Sequence, residues 1–334
     1  MKKIYVQMGI YLLGCLIVAI TMPILFAMAF YLSSALVLVL MPKFIQYLKK
    51  VSIQQTESEY ALEKKTGTPI MGGLLFNLVV VVVTLVFSVG KKDLTLWMLI
   101  LGVIGFGMIG FVDDMTIVLK RNNVGLKART RLAIEAVLAL VMILLLSCLN
   151  GLDYLKGSSW IGYLFFLSIT LLMFMGSTNA VNLTDGMDGL AGGVSLIAFL
   201  AYFIYAVQKQ LPVIAIFCAA MMGALFGYLF FNHKPAKVFM GDTGSLALGG
   251  SLATIAFITH TEWAFILIAG IPVLEALSVM IQIGSVKLCH RRVFPYTPIH
   301  YSFKIWGLKE VQVVYLFWLL EFMFAMMGLW LLIH

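Results

Sequence analysis

Residues 211–231 read LPVIAIFCAAMMGALFGYLFF, a run without one charged side chain. A hydrocarbon core about 30 Å thick needs about 20 apolar helical residues to cross it, so this stretch has the length of one membrane span. The same ruler moved along the chain finds further runs at 22–42, 70–89, 94–112, 132–149, 160–178, 190–207, 244–259, 263–286 and 311–333. The composition agrees, with 62% hydrophobic and 11% charged residues and a mean hydropathy of +1.03. These runs are continuously apolar and lack the period-two alternation of a membrane β-barrel. The expected fold class is therefore all-α: a polytopic integral membrane protein with about ten transmembrane helices. Residues 1–334 contain no low-complexity linker and no second soluble unit, which predicts a single transmembrane domain.

Connections between ten spans alternate between two sides. One side holds 43–69, 113–131, 179–189, 232–243 and 287–310, with 17 of the 23 Lys and Arg residues. Such a bias in short loops places that side in the cytoplasm. Residues 4–41 form a nearly unbroken apolar stretch, about 57 Å if helical at 1.5 Å per residue. Either 4–20 lies along the interface or it is an extra span turning near Thr21-Met22-Pro23; the absence of Gly, Asn or Asp at that turn favours the first. No small-residue cleavage site interrupts the run, which argues against a cleaved signal peptide. The net charge of +8 is accounted for by these loops, so nucleic acid is not implied. Cys15, Cys148, Cys218 and Cys289 are scattered, without metal or disulfide spacing.

Ionisable residues in such a chain are costly and are kept where they face water, a partner or a substrate. Asp113, Asp114, Asp185, Asp188 and Asp242 all fall at the ends of apolar runs, on the side read as cytoplasmic. In 179–189, Asn179, Asn182, Asp185 and Asp188 recur every third residue, which lines polar groups along one side of a helix end. A solvated Asx turn explains part of that pattern, but four such groups exceed what a turn needs. The adjacent pair Asp113-Asp114 repels itself, so one carboxyl must gain a cation or hold its proton more tightly. Pairing with Lys120 or Arg121 would satisfy it; a metal or acid–base task fits its position better. Asp242 or Thr243 can cap the helix that follows, and the same helix start offers free N–H groups to phosphate. An acid beside phosphate calls for a bridging divalent ion, and Mg²⁺ takes one or two carboxylates with waters and substrate phosphates.

Gly105-Phe-Gly107-Met-Ile-Gly110 matches G-x-G-x-x-G, but it lies inside a span with no βαβ unit around it. Close helix packing through small residues explains it better. Glu135, Glu275 and Glu321 lie in or near spans and are read as structural partners.

Four stretches, GTPIMGG (67–73), GFVDD (110–114), NAVNLTDGMDGLAGG (179–193) and VFMGDTGSLALGG (238–250), resemble the polyprenyl-phosphate N-acetylhexosamine-1-phosphate transferases. The likeness is greatest to the branch that makes the first lipid intermediate of peptidoglycan, the phospho-N-acetylmuramoyl-pentapeptide transferases. The last two stretches are long enough to be specific, and the order and span count fit nearly the whole chain. Ile117 stands where that family commonly has Lys, and His300 is followed by Tyr301-Ser302 where it commonly has three successive His.

The resemblance implies attack by undecaprenyl phosphate on the β-phosphate of UDP-N-acetylmuramoyl-pentapeptide, releasing UMP, in a bacterial cell membrane with the site on its cytoplasmic face. It implies Mg²⁺ on Asp242, with Asp113 orienting or deprotonating the lipid phosphate and Asp114 beside it. Lys65 would supply a point charge, and Gly186, Met187, Asp188, Asn232 and Phe239 would hold the uridine. Asn179, Asn182 and Asp185 belong to the same substrate site, and His300 would contact phosphate or sugar. Transfer of N-acetylglucosamine-1-phosphate is the close alternative. An ion-coupled transporter is the distant one, since it expects midplane acids and repeated halves. The sequence is also compatible with a homodimer.

Overall fold

A computed structural model describes residues 22–50, 67–90, 93–120, 125–150 and 160–334. Lys65, Arg121 and the 4–20 stretch, with its two topological readings, lie outside the described residues. The chain runs α1 (Ile24–Lys50), α2 (Gly72–Phe87), α3 (Leu94–Lys120), α4 (Ala128–Asn150), α5 (Trp160–Thr184) and α6 (Leu190–Gln208). It continues with α7 (Pro212–Asn232), α8 (Gly241–Thr259), α9 (Glu262–Ile268), α10 (Gly270–Cys289), α11 (Ile299–Ile305) and α12 (Glu310–Ile333). Eight of these, α1, α3 to α7, α10 and α12, are long and apolar enough to cross a membrane, while α2 is a shorter apolar helix. Every run expected to span carries a helix, and the all-α class holds.

Three boundaries differ from expectation. The run 263–286 is two helices, because the backbone at Ala269 (φ −111°, ψ 43°) leaves helical geometry. Pro272 has no N–H to donate back to Ile268, so the ladder cannot run through. The freed N–H of Ile271 is taken by the buried Glu321 carboxylate of α12 at 2.7 Å. Next, α3 continues past the apolar run to Lys120, so Asp113 and Asp114 sit inside a helix and not at its end. Likewise α5 continues to Thr184, with Asn179 and Asn182 on its last turns.

Two helices form the centre. α7 is apolar on every side and buried on nearly all of them, as a helix in the middle of a bundle must be; α1, α2 and α6 surround it. α8 carries a row of small residues, Gly244, Ala247, Gly249 and Gly250, and packs between α3 and α5. The α3–α8 crossing explains the G-x-G-x-x-G run. Gly107 faces Ala247, and a Cβ at Gly110 would run into the backbone of Asp242. That close approach brings Asp113 and Asp114 to the start of α8.

Candidate active site

Two of the motif stretches are joined by their backbones. The N–H of Phe239 donates to Pro69 at 2.9 Å, and those of Gly72 and Gly73 donate to Phe239 and Met240 at 2.8 and 3.0 Å. The contact demands glycine: a Cβ on Gly73 would overlap the backbone of Gly244. From α2, the Asn77 side-chain amide donates to the carbonyl of Thr243 at 2.9 Å. The segment 238–244 is thereby clamped from two directions before α8 begins.

Asp114 completes that clamp. Its Oδ1 accepts the Asp242 N–H at 3.0 Å, and its Oδ2 accepts the Thr243 N–H at 2.9 Å and the Thr243 hydroxyl at 2.6 Å. A buried carboxylate thus caps α8 from a neighbouring helix, where its charge suits the positive helix end. This corrects the expectation of a phosphate seat there, because the first N–H groups of α8 are already engaged. It also separates the Asp113-Asp114 pair: Asp114 organises backbone, and Asp113 points elsewhere.

Asp113 and Asp242 meet on Arg131 of α4. The guanidinium donates to Asp242 Oδ2 at 2.8 Å, to Asp113 Oδ2 at 3.2 Å and to Asn179 Oδ1 at 2.9 Å. Asp113 Oδ1 also accepts the Leu126 N–H, and Asp242 Oδ1 accepts the Asn182 amide at 2.7 Å. Behind Arg131, the fully buried Glu135 lies one turn on, 3.7 Å from its Nε. Glu135 Oε2 accepts the Thr178 hydroxyl at 2.9 Å and the Asn179 amide at 2.8 Å. Helices α3, α4, α5 and α8 therefore converge on one polar knot at one end of the bundle. The sequence reading placed Asp113, Asp242, Asn179 and Asn182 here and read Glu135 as a structural partner, and it missed Arg131 and its pairing with Glu135. The available signal was their i, i+4 spacing with opposite charge at the start of an apolar run.

The turn after α5 forms a second group. The Asp185 N–H closes the last turn on Val181 and Asn182 at 3.2 and 3.1 Å. Asp188 Oδ2 accepts the Ala236 N–H at 3.0 Å, and its own N–H donates to Glu310 Oε1 at 3.1 Å. Asn232 accepts the Gly189 N–H at 3.1 Å and donates to the Val238 carbonyl at 2.9 Å. Lys234 pairs with Glu310. Met187 is buried against Leu190, Val194, Val313 and Phe317. Asp188, Asn232 and Met187 thus hold the 185–189 turn against 232–238, while Asp185, Gly186 and Phe239 remain half-buried at its surface.

His300 lies in the first turn of α11, fully buried, with Nδ1 3.0 Å from Glu275 Oε1 of α10. Its ring abuts Gly186, where no Cβ would fit. The two positions that depart from the family's histidines carry other work. The Tyr301 hydroxyl donates to the Gly186 carbonyl at 3.3 Å, and burial pushes that hydroxyl's pKa up to about 12, so it stays a donor at working pH. Ser302 donates to the Tyr296 carbonyl at 2.5 Å and accepts the Tyr296 N–H at 3.1 Å, bracing the 290–298 loop.

The knot's donors are carboxylate and amide oxygens, which suit a hard cation such as Mg²⁺. Among the described residues, no three His, Cys, Asp or Glu side chains converge as a closed cage. Asp242 and Asp113 are the carboxylates in place for an ion that takes one or two and leaves its other positions to water and phosphate. Asp114 is committed to the backbone and hydroxyl at the start of α8, whereas the oxygens of Asp113 and Asp242 are held by Arg131, Leu126 and Asn182, so an ion there would displace the guanidinium.

Comparison with known sequences bears on this site directly. The profile of glycosyl transferase family 4 matches residues 96–260, from α3 through α8. A phospho-N-acetylmuramoyl-pentapeptide-transferase of Heliobacterium modesticaldum is 41% identical over 310 residues, 90% of this chain and 95% of that one. Proteins of the same name from a Geobacillus species and from Shouchella clausii are each 40% identical, over 91% and 90% of this chain and 96% and 95% of theirs. At that identity over nearly full length, with the motif stretches assembled at one end of an all-helical membrane bundle, the chain belongs to the phospho-N-acetylmuramoyl-pentapeptide-transferase family.

Proposed function

We propose that this protein transfers phospho-N-acetylmuramoyl-pentapeptide from its UDP conjugate to undecaprenyl phosphate, releasing UMP, at the cytoplasmic face of a bacterial membrane. One observation carries the reading: α5 presents a polar face and an apolar face, suited to two substrates of opposite solubility. Asn179 and Asn182 turn to the Asp242–Asp113–Arg131 knot. Ser177 and Ala180 line an apolar groove of about 370 Å³ completed by α9 and α10. A prenyl chain suits the groove, and its phosphate then lies beside the knot. The charge bias of the loops supports a cytoplasmic knot, the side from which a nucleotide-sugar would arrive.

Phosphoryl transfer asks for positioning and charge neutralisation more than covalent help. A phosphate monoester is already mostly ionised near pH 7, so an oxygen of the lipid phosphate can attack the donor's β-phosphorus directly. The bond from that phosphorus to the bridging oxygen breaks, and UMP carries the electron pair away. Asp113 orients the lipid phosphate, or accepts its remaining proton, from the Arg131 side. Asp242, with Asp113 as second carboxylate, would hold Mg²⁺, which supplies electrophilic charge to the pyrophosphate when bound. Arg131 and Asn182 fix the Asp242 carboxylate. Lys65 adds a cation to the donor. Asp185, Gly186 and Phe239 meet the uridine, with Met187, Asp188 and Asn232 setting their wall from behind, and His300 contacts phosphate or sugar.

Discrimination between donors falls to the sugar-peptide end, because phosphate and uridine contacts are common to every UDP-sugar. A cavity of about 360 Å³ lined by Lys287, Arg292, Tyr296 and Thr297 offers cationic groups for a peptide's carboxylates there. The test is purified protein with undecaprenyl phosphate, Mg²⁺ and each UDP-sugar in turn, read as UMP. The muramoyl-pentapeptide donor should lead UDP-N-acetylglucosamine by at least about tenfold in kcat/KM, about 1.4 kcal/mol. An equal or better glucosamine donor would move the protein to the sister activity.

A further inference from the structure

We propose that Glu275 is a positioning residue for the transfer, gripping the Nδ1 edge of His300 so that Nε2 faces Gly186 and meets the donor there. The inference rests on the transferase reading above. Both side chains are fully buried, and their contact at 3.0 Å joins α10 to the first turn of α11. A buried carboxylate without a cationic or N–H partner is strongly disfavoured, so Oε1 commits the Nδ1 proton of the ring. Committing one ring nitrogen decides what the other can do.

Among the described residues the other nitrogen has no partner. His300 Nε2 and Glu275 Oε2 are both buried polar atoms without a hydrogen bond in the structure. Such atoms are rare, because each forfeits its solvation for nothing. Nε2 lies against Gly186, and the Tyr301 ring, 4.1 Å from the imidazole centroid, brings its hydroxyl against the same residue. Tyr301 in turn donates to the Gly186 carbonyl. The free edge of His300 is therefore aimed at the 185–189 turn and held there from two directions. A sugar hydroxyl arriving at that turn would donate to Nε2, the lone-pair edge left once the Nδ1 proton is committed.

A double-mutant cycle separates this from a merely structural anchor. Glu275→Gln keeps the shape and an oxygen for Nδ1 but removes the charge; His300→Gln removes the ring. The expected result is a loss of at least about tenfold in kcat for Glu275→Gln, with donor KM little changed. The double variant should be no slower than His300→Gln alone, since groups acting as a unit are not additive. Glu275→Asp should recover part of the rate. Additive losses, an unaffected kcat, or a Glu275→Gln protein that loses its fold while His300→Gln keeps it would each overturn the proposal. Wild-type protein that releases no UMP from any UDP-sugar would instead sink the transferase reading, so the two failures are distinguishable.

Discussion

Replacing Arg131 with Met keeps the aliphatic stem and removes the one guanidinium that joins Asp113, Asp242 and Asn179. Hydrogen bonds to charged groups contribute about 1.5–3 kcal/mol each, so the two to carboxylates amount to about 3–6 kcal/mol. Arg131 is 19% exposed and Asp242 22%, against 6% for Asp113, and solvent screening lowers the expectation to about 2–4 kcal/mol. In detergent that is a drop of several degrees in Tm, readable by intrinsic tryptophan fluorescence. The informative arm is Mg²⁺ against EDTA at constant ionic strength. Arg131 and a divalent ion compete for Asp242 Oδ2 and Asp113 Oδ2, so removing the guanidinium leaves a stronger cation site. A ligand at a hundred times its Kd stabilises by about 2.7 kcal/mol, enough to restore most of the loss. Mg²⁺ should therefore raise the Tm of Arg131→Met by more than that of the wild type. Equal shifts in both proteins, or a variant that melts with the wild type in EDTA, would refute the account of the knot as a cation seat.

Three further expectations are simpler to test. Asp242→Asn should lower UMP release by at least about a hundredfold while the protein stays folded; near-normal activity at saturating Mg²⁺ would leave Asp242 a framework residue. Gly73→Ala should cost about 1–3 kcal/mol, because the new methyl meets the Gly244 backbone, and an unchanged Tm would show that the α2–α8 contact can relax. In a background with the exposed Cys289 changed to Ser, Lys237→Cys near Lys234 should be shielded from an impermeant thiol reagent in intact cells and Lys156→Cys should react. The reverse pattern would invert the topology and with it the access of a nucleotide-sugar to the knot.

The spans were legible because lipid allows little else: a backbone that must bond to itself needs about 20 apolar residues to cross. The same logic hid the break at Ala269, since both halves are apolar. The Gly270-Ile-Pro272 punctuation was visible, but the partner that makes a break tolerable, Glu321, lies 50 residues on from Ile271. The five aspartates were legible as a group because acids are scarce in such a chain. Their individual tasks were not. Nothing in Asp113-Asp114 says that the second caps α8 across a helix crossing that Gly110 permits. Arg131 was hidden by company, as one charge in a basic loop whose summed bias already had an explanation. Glu275 and His300, 25 residues apart, become a pair only when α11 folds back on α10.

The break at Ala269 has one more consequence. Ala269, Pro272 and Val273 all line the apolar groove, so the interruption of the span is also part of the groove's wall. Its rim residues Leu172, Trp263 and Met280 are 68%, 75% and 59% exposed, two of them on helices long and apolar enough to cross a membrane. The groove is thus a side door and not a hole in the roof. For the proposed reaction, a polyprenyl phosphate would slide in from the leaflet by two-dimensional diffusion, never leaving an oily medium, and the lipid product with its larger headgroup would leave by the same track. The aqueous reactant needs no path through the bundle at all, because the polar knot sits at its end. Two molecules that share no solvent can be brought within bonding distance while each keeps its own.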